Sequence, residues 1–144
     1  MQPLTHGVPF LLENHAGFLL RKAHQRHAAL FLDLAAEHGL TPTQFAALFK
    51  TAELGKVTQN LLGRLVAMDP ATIQGVVRRL TARGLIARTH DPMDRRTAVL
   101  TATPAGLALM ASAVATARGS HAAALATLTA EERATFLTLL HKVV

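Results

Sequence analysis

The sequence predicts a mainly α-helical fold with one small β-hairpin. Three positions, 41–42, 69–70 and 103–104, place Thr or Asp directly before Pro, which is a strong signal for a helix start. Between the last two of them, residues 85–101 contain two short strand-like runs separated by an Asp-Pro turn. The chain has 144 residues, of which 50% are hydrophobic, and this composition suits one domain with a full core.

The first long helix is predicted over residues 9–37, and its apolar residues cover more than one face. Because a helix that is apolar nearly all round is buried by more than its own domain, we expect an oligomer interface here. A capping box of Thr129 and Glu132 starts the last helix. The expected order is four helices, the hairpin and two further helices, with the second helix ending at Gly55, the third opening at Thr58 and the fifth reaching about Arg118.

The fourth helix carries the most informative pattern. Asp69 and Pro70 form a good helix start, and Gly84 forms a good helix end. An apolar stripe begins at Ile73 and recurs at positions i+3, i+4 and i+7. Together with the short third helix before it, this helix forms a helix-turn-helix. The other faces carry side chains that can read base edges or bind phosphate in a major groove, namely Thr72, Gln74, Arg78 and Arg79.

The basic residues are concentrated in this region. The chain has a net charge of +6, and residues 78–96 hold six arginines against two aspartates. A solvated charged face explains scattered Lys and Glu but explains such clustering poorly, so a surface that faces phosphates is favoured. The sequence therefore predicts double-stranded DNA as the partner.

Two strings of the sequence carry a family resemblance. Residues 58–96 read TQNLLGRLVAMDPATIQGVVRRLTARGLIARTHDPMDRR, and residues 103–106 read TPAG. With the helix order above, they resemble the MarR family of bacterial transcriptional regulators over about residues 10–143. The resemblance implies a winged helix-turn-helix homodimer built from a single domain, residues 1–144. Its dimerisation helices would be 9–37 and 104–144, and its DNA-binding lobe would be 40–103.

The wing, which is the hairpin after the recognition helix, carries in this family an Asp-x-Arg pattern that holds an arginine for the minor groove. Here the pattern maps onto Asp94 and Arg96, with Arg95 beside them. A guanidinium in a narrow minor groove meets concentrated negative potential, and a carboxylate two residues away can orient it. The resemblance implies a repressor that leaves a pseudo-palindromic operator when a small aromatic acid binds.

Arg21 and His27 resemble the first-helix arginine and histidine of MarR-type sensors of aromatic carboxylates, including regulators of hydroxynicotinate-type catabolism. An arginine can bind a carboxylate through two hydrogen bonds, and a histidine can bond a ring hydroxyl or ring nitrogen. Their six-residue spacing puts the side chains about 120° apart, so one ligand meets both only if it is wrapped or shared across the dimer. Further ligand-binding candidates are His15, His24, Phe31 and Phe49, of which Phe49 pairs with Phe45 at a spacing that equally suits the core.

Two other functions stay open from the sequence. His24 and His27 are three residues apart and could share Zn²⁺ in a metal-responsive repressor. The basic wing alone could support non-specific architectural DNA binding. The sequence has no Gly-rich phosphate loop, nucleophile elbow or clustered carboxylate pair, so we expect neither an enzyme nor a cofactor.

The composition favours a cytoplasmic protein. The sequence has no cysteine, which excludes disulfides and thiolate metal sites and fits a reducing compartment. Its first residues lack the cationic start and apolar core of a signal peptide. Residues 97–117 carry no charge, but Pro104 and Gly106 break the run, so we expect no membrane span.

Overall fold

The computed structural model describes residues 7–144, which contain a short 3₁₀ helix (Leu12–Asn14), six α-helices and one antiparallel three-stranded sheet. The first six residues of the predicted domain 1–144 lie outside the described part. The order confirms a mainly α fold with a small β wing. The helices are α1 (Ala16–Asp33), α2 (Pro42–Leu54), α3 (Gln59–Leu65), α4 (Pro70–Ala82), α5 (Pro104–Ala124) and α6 (Ala130–Lys142), and the strands are β1 (Val57–Thr58), β2 (Ile86–His90) and β3 (Ala98–Ala102).

The predicted starts of α2 to α6 are confirmed, because the capping side chains make their hydrogen bonds. Each cap accepts the backbone N–H of the residue three positions later, which satisfies a donor that the helix itself cannot. This holds for Thr58 at the start of α3 and for Thr103 at the start of α5. Complete capping boxes begin α2 and α6, and their pairs are Thr41 with Gln44 and Thr129 with Glu132.

The first helix is shorter than predicted at both ends. α1 begins at Ala16, not near residue 9, because His15 has extended backbone angles and the preceding turn is 3₁₀. It ends at Asp33, not near residue 37. The backbone carbonyl of Leu34 accepts the hydroxyl of Thr116 at 2.9 Å, so α5 takes over a carbonyl that would otherwise serve the next helical turn.

The fifth helix is longer than predicted. It continues to Ala124 instead of ending near Arg118. Residues 111–127 are rich in alanine, the strongest helix former, and this composition explains the extra turns. As a result, α5 has two contact regions. Gly106 is buried in its first turn, and Ser120, in its second half, contacts α1.

The wing has a third strand that the sequence did not indicate. The pairing of β2 with β3 runs from Ile86 opposite Ala102 to His90 opposite Ala98, within one residue of the predicted hairpin. On the other side of β3, β1 places Val57 opposite Leu100. β1 has only two residues, and so short a strand shows no alternation by which it could be recognised.

A tight turn sets α3 against α4. Ala67 has a left-handed backbone (φ 57°), and the N–H of Met68 donates to the carbonyl of Gly63 at 2.8 Å. A Cβ on Gly63 would lie 3.1 Å from Ile73 Cγ2, so the glycine allows the two helices to approach closely. This turn fixes the helix-turn-helix.

The hydrophobic core lies in the middle of the chain, between the sheet, α2, α3, α4 and the first half of α5. By contrast, the one buried residue of α1 is Phe31, and α6 has none among the described residues. No helix in the described part is long and apolar enough to cross a membrane. The core residues are Leu40, Ala47, Leu48, Val57, Leu62, Ile73, Val76, Val77, Leu80, Leu85, Ile86, Leu100 and Ala113.

Candidate nucleic-acid interface and histidine cavity

α4 turns its apolar stripe into the core and its polar residues to solvent. The stripe is buried as the spacing predicts, and it consists of Ile73, Val76, Val77 and Leu80. The four predicted DNA-reading residues are all exposed, and they are Thr72, Gln74, Arg78 and Arg79. The helix is therefore held from one side only, with its arginine-bearing face uncovered.

Arg78 has the most outward position of the four. At about 100° per residue, Arg78 and Gly75 lie on the line farthest from the buried stripe, with Gln74 on one flank and Thr72 and Arg79 on the other. A Cβ on Gly75 would have Arg79 Nη1 as its nearest neighbour, at 3.5 Å, so the packing does not require a glycine there.

The start of α4 is fixed by its N-cap. The N–H of Thr72 donates to Asp69 Oδ1 at 2.7 Å. This hydrogen bond lowers the pKa of Asp69, so the carboxylate stays charged and keeps capping the helix. The backbone of Thr72, one of the predicted DNA contacts, is thus held in place.

The wing turn is organised by two aspartates acting on the backbone. Asp91 Oδ1 accepts the N–H of Met93 at 2.8 Å, and Asp94 Oδ1 accepts the N–H of Arg96 at 3.0 Å. The second oxygen of Asp94 accepts the hydroxyl of Thr97 at 3.2 Å. These Asx-type bonds lock the turn that presents the arginines.

The expectation that Asp94 orients the Arg96 guanidinium is therefore corrected. Asp94 is occupied by a backbone N–H and a hydroxyl, and it sets the direction of Arg96 through the main chain instead. Within residues 7–144 the one ion pair joins Lys50 to Glu53. The guanidinium groups of Arg95 and Arg96 are exposed and have no acidic partner in this part of the chain.

The recognition helix and the wing are tied to the rest of the fold at the end of α4. The hydroxyl of Thr103 donates to the carbonyl of Gly84 at 2.6 Å, and its N–H donates to the carbonyl of Leu85 at 3.1 Å. Arg83, the C-cap of α4, donates to the backbone carbonyl of His38. Both α5 and the connection between α1 and α2 therefore hold the C-terminal end of α4.

A cavity of about 330 Å³ lies between α1, α5 and α6. His24 and His27 line it from α1, and His121 lines it from α5. The arginine at its wall is Arg26, not Arg21. The remaining lining consists of alanine, leucine and phenylalanine side chains.

The other predicted ligand-binding residues lie elsewhere. Arg21 is exposed and does not line the cavity, and the ring of His15 packs near Phe10 before α1 begins. Phe31 is buried in the fold, with its ring 6.4 Å from that of His27. Phe49 is partly exposed on α2, and its ring lies 5.7 Å from that of Phe45, which lies 5.6 Å from that of Phe31. The structure thus places His24 beside His27 and connects His27 to Phe31 and, through Phe45, to Phe49, while, within the described residues, Arg21 and His15 have no contact with this group.

The histidines are not arranged as a metal site. In the described part of the chain, no group of three or more His, Asp or Glu side chains could hold a metal ion. The Zn²⁺ alternative therefore gains no support from the positions of His24 and His27.

His27 contacts α5 through a serine. The hydroxyl oxygen of Ser120 lies 3.4 Å from His27 Nε2 and 3.0 Å from the carbonyl oxygen of Ala117. Burial, followed by the nearby His24 and His121, lowers the pKa of His27.

His38 lies at the junction of α1, α2 and α5 and is 2% exposed. Its Nδ1 accepts the N–H of Leu40 at 3.0 Å, so Nε2 carries the proton and donates to Thr116 Oγ1 at 2.9 Å. The Thr116 hydroxyl in turn donates to the carbonyl of Leu34. Every polar side-chain atom in this buried series of hydrogen bonds has a partner, and the direction of each bond is fixed.

The comparison with known proteins decides the family. The sequence model of the MarR family matches residues 38–97 of this chain. The transcriptional repressor NicR of Pseudomonas putida is 38% identical over 137 residues, which are 95% of this chain and 87% of NicR. The chain belongs to the MarR family.

Solved structures agree with the fold of this MarR protein. A probable transcriptional regulator from Pseudomonas aeruginosa is 48% identical, with a TM-score of 0.87 over 93% of this chain and 100% of the other. Bordetella bronchiseptica BpsR, whose DNA binding is regulated by 6-hydroxynicotinic acid, is 36% identical, with a TM-score of 0.86 over 94% and 97% of the two chains. These relatives confirm the winged-helix fold and identify the protein as a transcriptional regulator, not an enzyme.

Sequence reasoning missed several residues that organise this MarR regulator. Arg26 and His121 complete the cavity, and His38 with Thr116 joins α5 to the α1–α2 connection. The helical pattern of α1 shows that Arg21 and Arg26 point in different directions, but only the packing of α5 shows which one reaches the cavity. His121 has no periodic signal, because the alanine-rich second half of α5 carries no distinct apolar face.

Proposed function

We propose that this MarR regulator is a homodimeric repressor that acts on a pseudo-palindromic operator in the cytoplasm. The observation that carries the proposal is the uncovered arginine-bearing face of α4 beside a wing whose arginines have no acidic partner in residues 7–144. A major groove admits one α-helix, and an adjacent minor groove attracts guanidinium groups. The two half-sites are expected about one helical turn apart, ~10 bp.

The first test is affinity selection of fragmented host DNA on the purified protein at near-physiological salt, followed by sequencing. A sharply enriched inverted repeat supports the repressor. Broad enrichment without a motif would mean that the wing binds DNA generally, and the architectural alternative would replace the repressor.

The two DNA-contacting elements have separable roles. Arg78→Ala is expected to relax sequence preference and to cost about 1–3 kcal/mol of operator affinity, as for an arginine that reads a guanine edge. Arg96→Ala should weaken operator and unrelated DNA alike, and it should reduce the salt dependence of binding by about one unit of slope. Fluorescence anisotropy with labelled operator and scrambled duplexes at several salt concentrations measures both effects. Equal loss on both duplexes in Arg78→Ala would contradict its base-reading role.

The proposed dimer rests on apolar surface that the single chain leaves exposed. α6 has no buried residue, and a 13-residue helix gains little stability without a packed face. We place the dimer interface on residues 9–37 and 104–144, and the DNA-binding lobe on 40–103. The large exposed apolar residues of the proposed interface include Leu19, Leu20, Leu32, Leu34, Phe136, Leu139 and Val143.

Leu139→Glu is expected to shift the protein from dimer to monomer, because a carboxylate buried in an apolar interface costs several kcal/mol. The matched control is Leu54→Glu, since Leu54 is a comparably exposed leucine at the end of α2 in the lobe (47% against 55% for Leu139). Sedimentation velocity measures the masses. A dimeric Leu139→Glu protein would exclude α6 from the interface.

We further propose that a small aromatic carboxylate releases the repressor from DNA. The regulation of BpsR by 6-hydroxynicotinic acid and the cluster of histidines beside an arginine on α1 support this class of effector. Such an effector must bind free protein more tightly than DNA-bound protein, by a coupling of about 1–3 kcal/mol. Titration of 6-hydroxynicotinate into the operator complex tests it, and unchanged DNA affinity would exclude this acid as the effector.

A further inference from the structure

Building on the proposed binding of a dimer to two half-sites, we propose that Arg83 is a positioning residue that determines which half-site spacing the repressor accepts. It does so by holding the recognition helix α4 at a fixed angle to the dimerisation helices, and it does not contact DNA. The sequence groups Arg83 with five other arginines in residues 78–96, as a surface that faces phosphates. The structure instead directs its guanidinium at the segment between α1 and α2.

The guanidinium of Arg83 is placed by two neighbours in that segment. Its Nη2 donates to the backbone carbonyl of His38. Both of its Nη atoms are 4.0 Å from the position that a Cβ on Gly39 would occupy. At about 100° per residue, Arg83 lies about 140° from Arg78 around α4, so the two arginines have different surroundings. Arg83 is therefore not part of the outward line that carries Arg78.

The carbonyl that Arg83 binds belongs to a residue that is itself held on both sides. His38 is 2% exposed, its Nδ1 accepts the N–H of Leu40 at 3.0 Å, and its Nε2 donates to Thr116 Oγ1 at 2.9 Å. Thr116 lies on α5, one of the helices of the proposed dimer interface. The hydrogen bond of Arg83 therefore joins the end of α4 to a residue that is anchored outside the DNA-binding lobe.

Both chain connections between the lobe and the proposed dimerisation helices meet three consecutive residues at the end of α4. The connection from α1 meets them through Arg83 and His38. The connection to α5 meets them through Thr103, whose hydroxyl donates to the carbonyl of Gly84 at 2.6 Å and whose N–H donates to that of Leu85 at 3.1 Å. Of the three residues, Arg83 acts through its side chain, so it can be replaced without removing the two bonds of Thr103.

A small rotation at this end of α4 becomes a large displacement at the other end. Thr72 lies about 16 Å from Arg83 along the helix axis, at a rise of 1.5 Å per residue. A rotation of about 10° at Arg83 therefore moves Thr72 by about 3 Å, which is close to the rise of one base pair. Because a dimer has two such lobes, loss of the Arg83 bond should let the accepted spacing vary by about one or two base pairs.

The test uses three labelled duplexes: the operator recovered by affinity selection, the same operator with one base pair inserted between its half-sites, and a single half-site. Arg83→Ala should lower the affinity for the operator about tenfold, because a dimer gains avidity only where both lobes engage together. Its affinity for the single half-site should be unchanged, and the penalty for the inserted base pair should become smaller. Fluorescence anisotropy with the full-length protein measures all three affinities.

Two further variants separate positioning from phosphate contact. Arg83→Lys keeps a donor of similar reach and should restore much of the operator affinity and of the spacing preference. Arg95→Ala is the comparison for a wing arginine, and it should weaken the operator and the single half-site alike and lower the salt dependence of both. Because Arg83 is exposed, its replacement should leave the protein folded, and urea unfolding checks this.

The outcomes distinguish the role of Arg83 from the proposed repressor. Equal losses on the operator and the single half-site in Arg83→Ala, with a lower salt dependence, would make Arg83 a phosphate contact and overturn its positioning role. Unchanged affinity for all three duplexes would overturn that role while keeping the dimer on two half-sites. If the unaltered protein binds the operator no more tightly than a single half-site, the proposed dimer on two half-sites fails, and the role of Arg83 fails with it.

Discussion

Gly106→Ala is expected to lower the free energy of unfolding by about 3 kcal/mol, near the upper end of the cost of overpacking a core. A Cβ at this position would lie 2.2 Å from the carbonyl oxygen of Leu85 and 3.2 Å from Leu48 Cδ1. The carbonyl cannot easily move away, because it also accepts the N–H of Thr103 at 3.1 Å. Urea unfolding followed by circular dichroism, at one fixed protein concentration, measures the change.

Gly75→Ala is the matched control, because it makes the same substitution inside a helix without a clash. The nearest atom to its Cβ would be the mobile end of Arg79, at 3.5 Å. Replacing a glycine within a helix should raise stability by about 0.5–1 kcal/mol. The two variants should therefore change stability in opposite directions. If Gly106→Ala unfolds at the same urea concentration as the unaltered protein, α5 does not pack on Leu85 as closely as described.

The DNA-binding lobe was predictable because its signals are local. Asp69 and Pro70 mark the start of α4, Gly84 marks its end, and the stripe from Ile73 has a helical period. The hairpin follows from the Asp-Pro turn at position 91. Each of these features depends on neighbours in the sequence, so the bounds of α4 and the hairpin agree with the structure to about one residue.

The helices of the proposed dimer interface were less predictable, because their limits depend on residues that are distant in the sequence. α1 ends where the hydroxyl of Thr116, on α5, donates to the carbonyl of Leu34. The residues near Leu34 in the sequence give no signal of this contact. In the same way, the choice between Arg21 and Arg26 at the cavity depends on the carbonyls of Ala123 and Ala124. Sequence periodicity shows which residues share a face of α1, but it does not show which helix covers that face.

His38 connects α5 to the segment between α1 and α2 through its two hydrogen bonds. Its replacement should lower the free energy of unfolding about as much as that of Gly106. His38→Ala removes the acceptor for the N–H of Leu40 and the donor to Thr116, and it also leaves a cavity. Buried donors and acceptors left without partners cost about 1–3 kcal/mol, so a total near 3 kcal/mol is expected. His38→Asn is the informative second variant, since its amide oxygen can take the position of Nδ1 and accept the Leu40 N–H. It should recover part of the loss in urea unfolding at pH 8.

The same pair of proteins should reveal the titration of His38. Burial, followed by the positive charge of Arg83, lowers the pKa of His38 from 6.5, while Glu37 partly opposes the shift. As the pH falls through 6.5, the unfolded chain takes up a proton that the folded chain still excludes, so the contribution of His38 to stability declines toward its lower folded pKa. The stability difference between the unaltered protein and His38→Asn should therefore be largest above pH 7 and shrink below 6.5. A difference that stays constant from pH 8 to pH 5 would mean that His38 binds protons equally in both states, and the neutral, fully bonded imidazole assigned here would be wrong.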